Sequence, residues 1–244
     1  MPSKHDWKYI SHTTYRAFKA LPVWFWAAFL VFLGVSVAVL LPREWMILEF
    51  VRRYSPSWSA PGLKFLSTVG EFHYLNLIGT VLLLVWGYLA KSQRIQRIGL
   101  SFLLAGILAG VTVQVVKPLV GRPRPSHCMS SHLGPLDFAG PTLNRRFYSY
   151  PSGHTATTVA ACTVVAIGFP RLIVPCILLS LGMAWSRMFQ NAHFPIDTVH
   201  GAGLGLIFGY VSMGWTRQIC SVEALGVGAN SSESAVDLPE IVEG

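Results

Sequence analysis

The sequence predicts an all-α fold, a six-span transmembrane helix bundle with short interfacial helices. Of 244 residues, 52% are apolar and only 12% charged, about half the charged share of a soluble domain. The mean hydropathy is +0.48. Uncharged runs recur along the chain at lengths close to a hydrocarbon core, so lipid is the solvent of its outer surface.

The first run, residues 21–41, carries no charge. At 1.5 Å per residue it spans roughly 30 Å, the thickness of the bilayer's apolar core. It is too long for the h-region of a signal peptide, and no small-residue cleavage site precedes Pro42, Arg43 and Glu44. Residues 42–71 mix Trp45, Phe50, Tyr54 and Trp58 with Arg43, Arg52, Arg53 and Lys64, the composition of interfacial helix. Runs at 75–90, 98–116, 156–169, 172–185 and 199–215 complete the six spans. The fourth and fifth fall below the usual ~17 residues, so polar flanks or neighbouring helices must cover them. Gly168-Phe169-Pro170-Arg171 marks the turn between those two. Gly201, Gly203, Gly205 and Gly209 permit close helix packing in the last span, and Trp24, Trp26, Trp185 and Trp215 mark span ends.

The resulting plan is a cytoplasmic segment 1–20, a membrane domain 21–216 and a disordered acidic tail 217–244, where Ser, Gly and acids occur without a single aromatic residue. The net charge is +8, and outside the last 22 residues nineteen basic side chains face six acidic ones. That balance suits anionic headgroups or a polyanionic substrate. The basic residues are scattered between apolar runs rather than gathered in an arm or patch, which argues against nucleic acid. Four cysteines form no disulfide framework, and His127, Cys128 and His132 match no zinc spacing, so neither metal nor cofactor is expected. Lys91, Arg94 and Arg97 in the second loop, with Lys4, Lys8, Arg16 and Lys19 before the first span, point to the cytoplasm. Alternation then places the loops 117–155 and 186–198 together on the opposite face.

Those two loops concentrate the chemistry. They carry Lys117, Arg124, Ser152, Gly153, His154, Ser186, Arg187, His193 and Asp197. Ionisable groups at membrane depth are expensive and usually functional. Lys and Arg neutralise phosphoryl oxygens, and a Ser-Gly-His-Thr helix start aims free N–H groups at an anion. A neutral imidazole attacks phosphorus when its other nitrogen is held, a role open to Asp197 toward His193. A second imidazole, His154, can protonate the leaving alkoxide.

These residues resemble the type 2 phosphatidic acid phosphatases, whose signature is Lys, six residues, Arg-Pro; then Pro-Ser-Gly-His; then Ser-Arg, five residues, His, three residues, Asp. Here the three parts read KPLVGRPRP from Lys117, PSGH from Pro151 and SRMFQNAHFPID from Ser186. The resemblance implies a metal-independent lipid phosphatase of the bacterial inner membrane, acting at the periplasmic face through a phosphohistidine. His193 would be the nucleophile, Asp197 its orienting partner and His154 the acid, with Lys117, Arg124, Ser152, Gly153, Ser186 and Arg187 on the phosphoryl oxygens. Arg122, in the first of two Arg-Pro pairs, is the alternative to Arg124. His73, His127, His132 and His200 receive no role, and Arg145 and Arg146 either solvate their loop or meet an acidic headgroup. The expected partners are the bilayer and a phosphorylated lipid, first the 1-phosphate of lipid A. Undecaprenyl pyrophosphate and phosphatidylglycerophosphate are alternatives, and a lipid phosphotransferase or a transporter is the reading from another class.

Overall fold

The computed structural model describes residues 23–224, which are mostly helical, with no strand among the described residues. Helix α1 (Val23–Leu40) is apolar all round and turns Leu30, Val31 and Val35 outward, as a helix surrounded by lipid can. After a short turn containing Pro42, α2 (Glu44–Arg53) is amphipathic, with Leu48 and Val51 buried and Arg52 and Arg53 in its last turn, where cations suit the helix dipole. Helix α3 (Ala60–Val69) starts with Pro61 and leads through a π-helical turn, His73–Ile78, into α4 (Gly79–Leu89). The segments Ser57–Val69 and Tyr74–Leu89 meet at 62°, so the stretch expected to be wholly interfacial instead divides. Its second half becomes one arm of a bent apolar pair.

Helix α5 (Gln93–Val120) is capped by the Ser92 hydroxyl and stopped by Gly121 in the left-handed region, φ 61°. The short α6 (Pro125–Ser131) lies in the loop that follows. Helices α7 (Gly153–Gly168), α8 (Ile173–Phe189) and α9 (Pro195–Ala224) complete the chain. The core lies between α5, α7 and α9, where Phe102, Ala105, Ala109 and Val113 meet Ala156, Ala160, Val164 and Met213. At Gly205 a Cβ would lie 2.5 Å from the Ala156 carbonyl oxygen, so only glycine lets α9 come this close to α7.

Among the described residues, three stretches are long and apolar enough to cross a membrane, Val23–Arg53, Gln93–Val120 and Pro170–Phe189, or four if the bent pair is one span. The sequence predicts six, and the physical reason for the difference is plain. Helix α7 has 16 residues, and the 30 residues of α9 are diluted by glycine, serine and His200. Neither is hydrophobic enough alone, but α7 is buried along most of its length by its neighbours. Helix α9 also runs on to Ala224, past the predicted boundary of the tail. The rest of that tail and the segment 1–20 lie outside the described residues.

Candidate active site

The loops that follow α5 and α8 meet beside the N-terminal ends of α7 and α9. Gly121 turns the chain out of α5, and a side chain there would strike the Gly140 carbonyl as well as strain the backbone. Residues 122–124 then run beside 146–149. The Ser149 N–H donates to the Arg122 carbonyl at 3.1 Å and the Arg124 N–H to the Arg146 carbonyl at 3.0 Å. This pairing brings Ser149 against His193.

His193 is 1% exposed, and its Nδ1 lies 2.6 Å from the Ser149 carbonyl oxygen. A carbonyl only accepts, so Nδ1 carries the hydrogen and Nε2 keeps its lone pair. Burial, followed by the charges of Lys117, Arg187 and Arg124, holds the ring well below the ordinary imidazole pKa. His193 is therefore a neutral base of fixed tautomer.

Asp197 does not hold that ring directly, as the sequence reading expects. Its Oδ2 is 4.0 Å from Nδ1 and accepts instead from the Ser149 hydroxyl at 2.6 Å and the Phe194 N–H at 2.8 Å. The reason lies in the chain itself: Pro195 opens α9, and Asp197 in that first turn reaches back to the N–H of residue 194. It thus fixes both the loop that carries His193 and the residue that orients its ring.

Arg122 is also placed away from any phosphate. Only 2% exposed, it donates to Asp197 Oδ1 and Glu44 Oε2 at 2.5 Å each and to the Pro135 carbonyl at 3.1 Å. Its guanidinium stacks 4.6 Å from the ring centre of Phe194. Its donors are committed to the protein.

The remaining cations are poised differently. Lys117, in the last turn of α5, brings Nζ over the start of α7, to 3.5 Å from where a Cβ on Gly153 would stand. There Gly153, His154 and Thr155 present N–H groups that no carbonyl of their own helix can reach. Arg187 donates Nη1 to the Ser67 hydroxyl on α3, while its Nε and that of Arg124 are buried without a partner among the described residues. A buried guanidinium N–H of this kind asks for an acceptor.

The two serines behave as structural ties. Ser186 donates its hydroxyl to the Leu63 carbonyl at 2.6 Å, which points it at α3 rather than at an anion. Ser152 pairs with the Thr155 hydroxyl at 2.9 Å and gives its N–H to the Asp197 carbonyl at 2.9 Å, joining the two loops. Sequence reasoning misses Ser149, Ser67 and Glu44. Only Glu44 leaves a trace, as an acid three residues beyond the end of an uncharged run.

A cavity of about 650 Å³ runs along α5 past Ile107, Val111 and Val115, with Phe72 on its other wall. Its polar end is formed by Lys117, Gly153 and His154, and Gln114, Thr157 and the carboxylate of Glu71 also line it.

Residues 98–219, half of the chain, match the PAP2 superfamily, and the three-part signature lies wholly inside that stretch. The chain belongs to the PAP2 superfamily. A lipid A 1-phosphatase of Rhizobium johnstonii is 29% identical over 119 residues, 49% of this chain and 48% of that protein. The chain thus spans about half the length of the rhizobial lipid A 1-phosphatases it matches. An undecaprenyl-diphosphatase of Sulfolobus acidocaldarius is 24% identical over 202 residues, 78% of this chain and 90% of that protein. The crystal structure of a PAP2-type phosphatidylglycerolphosphate phosphatase from Bacillus subtilis superposes with a TM-score of 0.59 at 19% identity, covering 79% of this chain and 94% of that one, and so shares the fold. The PAP2 match runs from α5 to α9. It therefore holds every residue gathered here except Glu44, Leu63, Ser67 and Phe72, which the preceding helices add.

Proposed function

We propose that this PAP2 protein is a six-span lipid phosphatase of a bacterial inner membrane, acting without a metal at the periplasmic face on the 1-phosphate of lipid A. The apolar cavity that ends on Lys117, Gly153 and His154 carries the reading, because it offers an acyl chain a path and a phosphate a cationic terminus in one volume. The stretch of likeness to a lipid A 1-phosphatase supports the choice of lipid.

In this reading Nε2 of His193 attacks phosphorus as the bond to the lipid oxygen breaks. His154, whose pKa burial and then Arg187, Lys117 and Arg124 push down to about 3, becomes protonated when the phosphate dianion offsets those cations, and it gives that oxygen its proton. Lys117, Arg124 and Arg187, with the N–H groups of Gly153 and His154, neutralise the phosphoryl oxygens as charge develops. A water molecule then yields a proton to His154 and attacks the phosphohistidine. Inorganic phosphate leaves, and both imidazoles return to their starting states. Asp197 acts at one remove, through Ser149 and the 194 N–H, and is a positioning residue.

The test is phosphate release from lipid A, undecaprenyl pyrophosphate, phosphatidylglycerophosphate and phosphatidic acid by purified protein in excess chelator. Lipid A is expected to be consumed fastest, with one free phosphate per lipid. Turnover of undecaprenyl pyrophosphate alone reverses the choice of lipid, a doubly phosphorylated lipid product means transfer to an acceptor, and full activity of His193→Ala overturns the mechanism.

A further inference from the structure

A second pocket, about 700 Å³ and open, lies beside the first set of cations. Arg124, Arg145, Arg146 and His127 line it, with the serine side chains of α6 around them, and no carboxylate is among the lining residues. Arg145 and Arg146 are exposed, and among the described residues neither pairs with an acid. They are nevertheless held in place. The Asn144 side chain accepts the Arg146 N–H at 3.1 Å, and the Arg146 carbonyl accepts the Arg124 N–H at 3.0 Å. Phe147, next in the chain, packs edge-on against His127, with ring centres 5.1 Å apart.

Three guanidinium groups gathered around one opening repel each other unless an anion joins them. Arg124 walls this pocket, its Nε is buried without a partner among the described residues, and its charge is among those that bear on His193. Arg124 therefore links this pocket electrostatically to the site where His193 attacks phosphorus.

We propose that this pocket is a subsite for a second phosphate on the same substrate headgroup, with Arg145 and Arg146 as its specificity-determining residues and Arg124 on its wall toward the catalytic site. The proposal rests on the phosphatase reading and narrows it to headgroups that carry two phosphates. Guanidinium forks bind phosphate oxygens in pairs, so the subsite rewards a phosphate more than a carboxylate or a hydroxyl.

The experiment compares two matched pairs of lipids: 1,4′-bisphosphoryl against 1-monophosphoryl lipid A, and diacylglycerol pyrophosphate against phosphatidic acid. Binding to detergent-solubilised full-length protein is measured by microscale thermophoresis in the His193→Ala background, with and without R145A/R146A. Phosphate release by proteins that retain His193 is measured in parallel. The His193→Ala protein is expected to prefer the doubly phosphorylated member of at least one pair by about tenfold to a hundredfold, the scale of one or two charge-assisted contacts. In R145A/R146A that preference falls to within about twofold. Using the ratio within a pair removes any general loss of folded protein. No preference in either pair, or a preference that survives the double substitution, overturns the subsite. Tighter binding of the monophosphates when phosphatidylglycerol or inorganic phosphate is added, lost in R145A/R146A, means the pocket takes a separate anion and also overturns it. Absence of phosphate release from all four lipids counts against the phosphatase reading instead and leaves the binding comparison intact.

Discussion

Arg122 grips Asp197 at 2.5 Å from a position only 2% exposed, and its other nitrogen holds Glu44 at the same distance. Two buried carboxylates therefore share one cation. Arg122→Ala leaves both acids buried without a counter-charge, and breaking a buried pair in this way costs about 3–5 kcal/mol. Glu44→Gln keeps the Arg122 and Asp197 pair neutral and complete, so its loss should be nearer that of one hydrogen bond, about 1 kcal/mol. Thermal unfolding in detergent should rank wild type, Glu44→Gln, then Arg122→Ala. Arg122→Lys should fall near the alanine variant, because a single ammonium lacks the fork that reaches both acids. Equal stability of Arg122→Ala and wild type removes the network from any account of the fold.

Ser186 and Arg187 are adjacent in the signature but differ in what they touch. The Ser186 hydroxyl is spent on the Leu63 carbonyl, while Arg187 keeps a buried Nε without a partner among the described residues. Ser186→Ala should lower stability by about 1 kcal/mol and leave kcat/KM within about threefold. Arg187→Ala should lower phosphate release by about 10²–10³, the usual loss when a group that stabilises developing charge is removed. A larger catalytic loss for Ser186→Ala than for Arg187→Ala reverses the two roles.

The signature residues and the convergence of two distant loops were legible because each carries chemistry that apolar helices do not otherwise need. The spans were legible where hydropathy alone decides, as in α1 and α5. They were less so in α7 and α9, whose environment is made by packing: Gly205 against the Ala156 carbonyl matters more there than mean hydropathy. The hand that orients His193 was hidden for a related reason. A backbone carbonyl such as that of Ser149 has no side-chain signature, and it reaches Nδ1 only because residues 122–124 run beside 146–149. Asp197, the visible acid, stands 4.0 Å from Nδ1 and leaves that contact to the carbonyl.

His154 closes the polar end of the cavity, where the leaving oxygen of a lipid would lie. In the proposed mechanism its loss removes the acid for the first step and the base for the second. His154→Ala should reduce lipid phosphate release by about 10²–10⁴. A p-nitrophenyl phosphate ester, whose leaving group needs no proton, should restore the first step only. Acid-labile phosphate bound to protein should then accumulate in His154→Ala and be absent from the His154→Ala/His193→Ala double variant. Labelling that persists in the double variant places the nucleophile elsewhere.

The neutral state of His193 also sets a pH dependence of stability. Its pKa lies well below the ordinary value because of burial and then of Lys117, Arg187 and Arg124. The unfolded chain takes up a proton on this ring near pH 6.5, whereas the folded chain does so only at lower pH. Between those two values the unfolded state binds more protons, so stability falls as pH drops through that window and is fully present above it. His193→Gln removes this contribution, and its unfolding midpoint should decline less steeply with acid than that of wild type. In catalysis the same shift keeps Nε2 unprotonated below pH 6.5, so the acid limb that His193 gives kcat/KM should lie lower than an exposed histidine would place it. Lys117→Met removes the first of the three depressing charges. It should therefore move that limb to higher pH in addition to lowering the rate, and a limb that stays in place or moves to lower pH contradicts the electrostatic assignment.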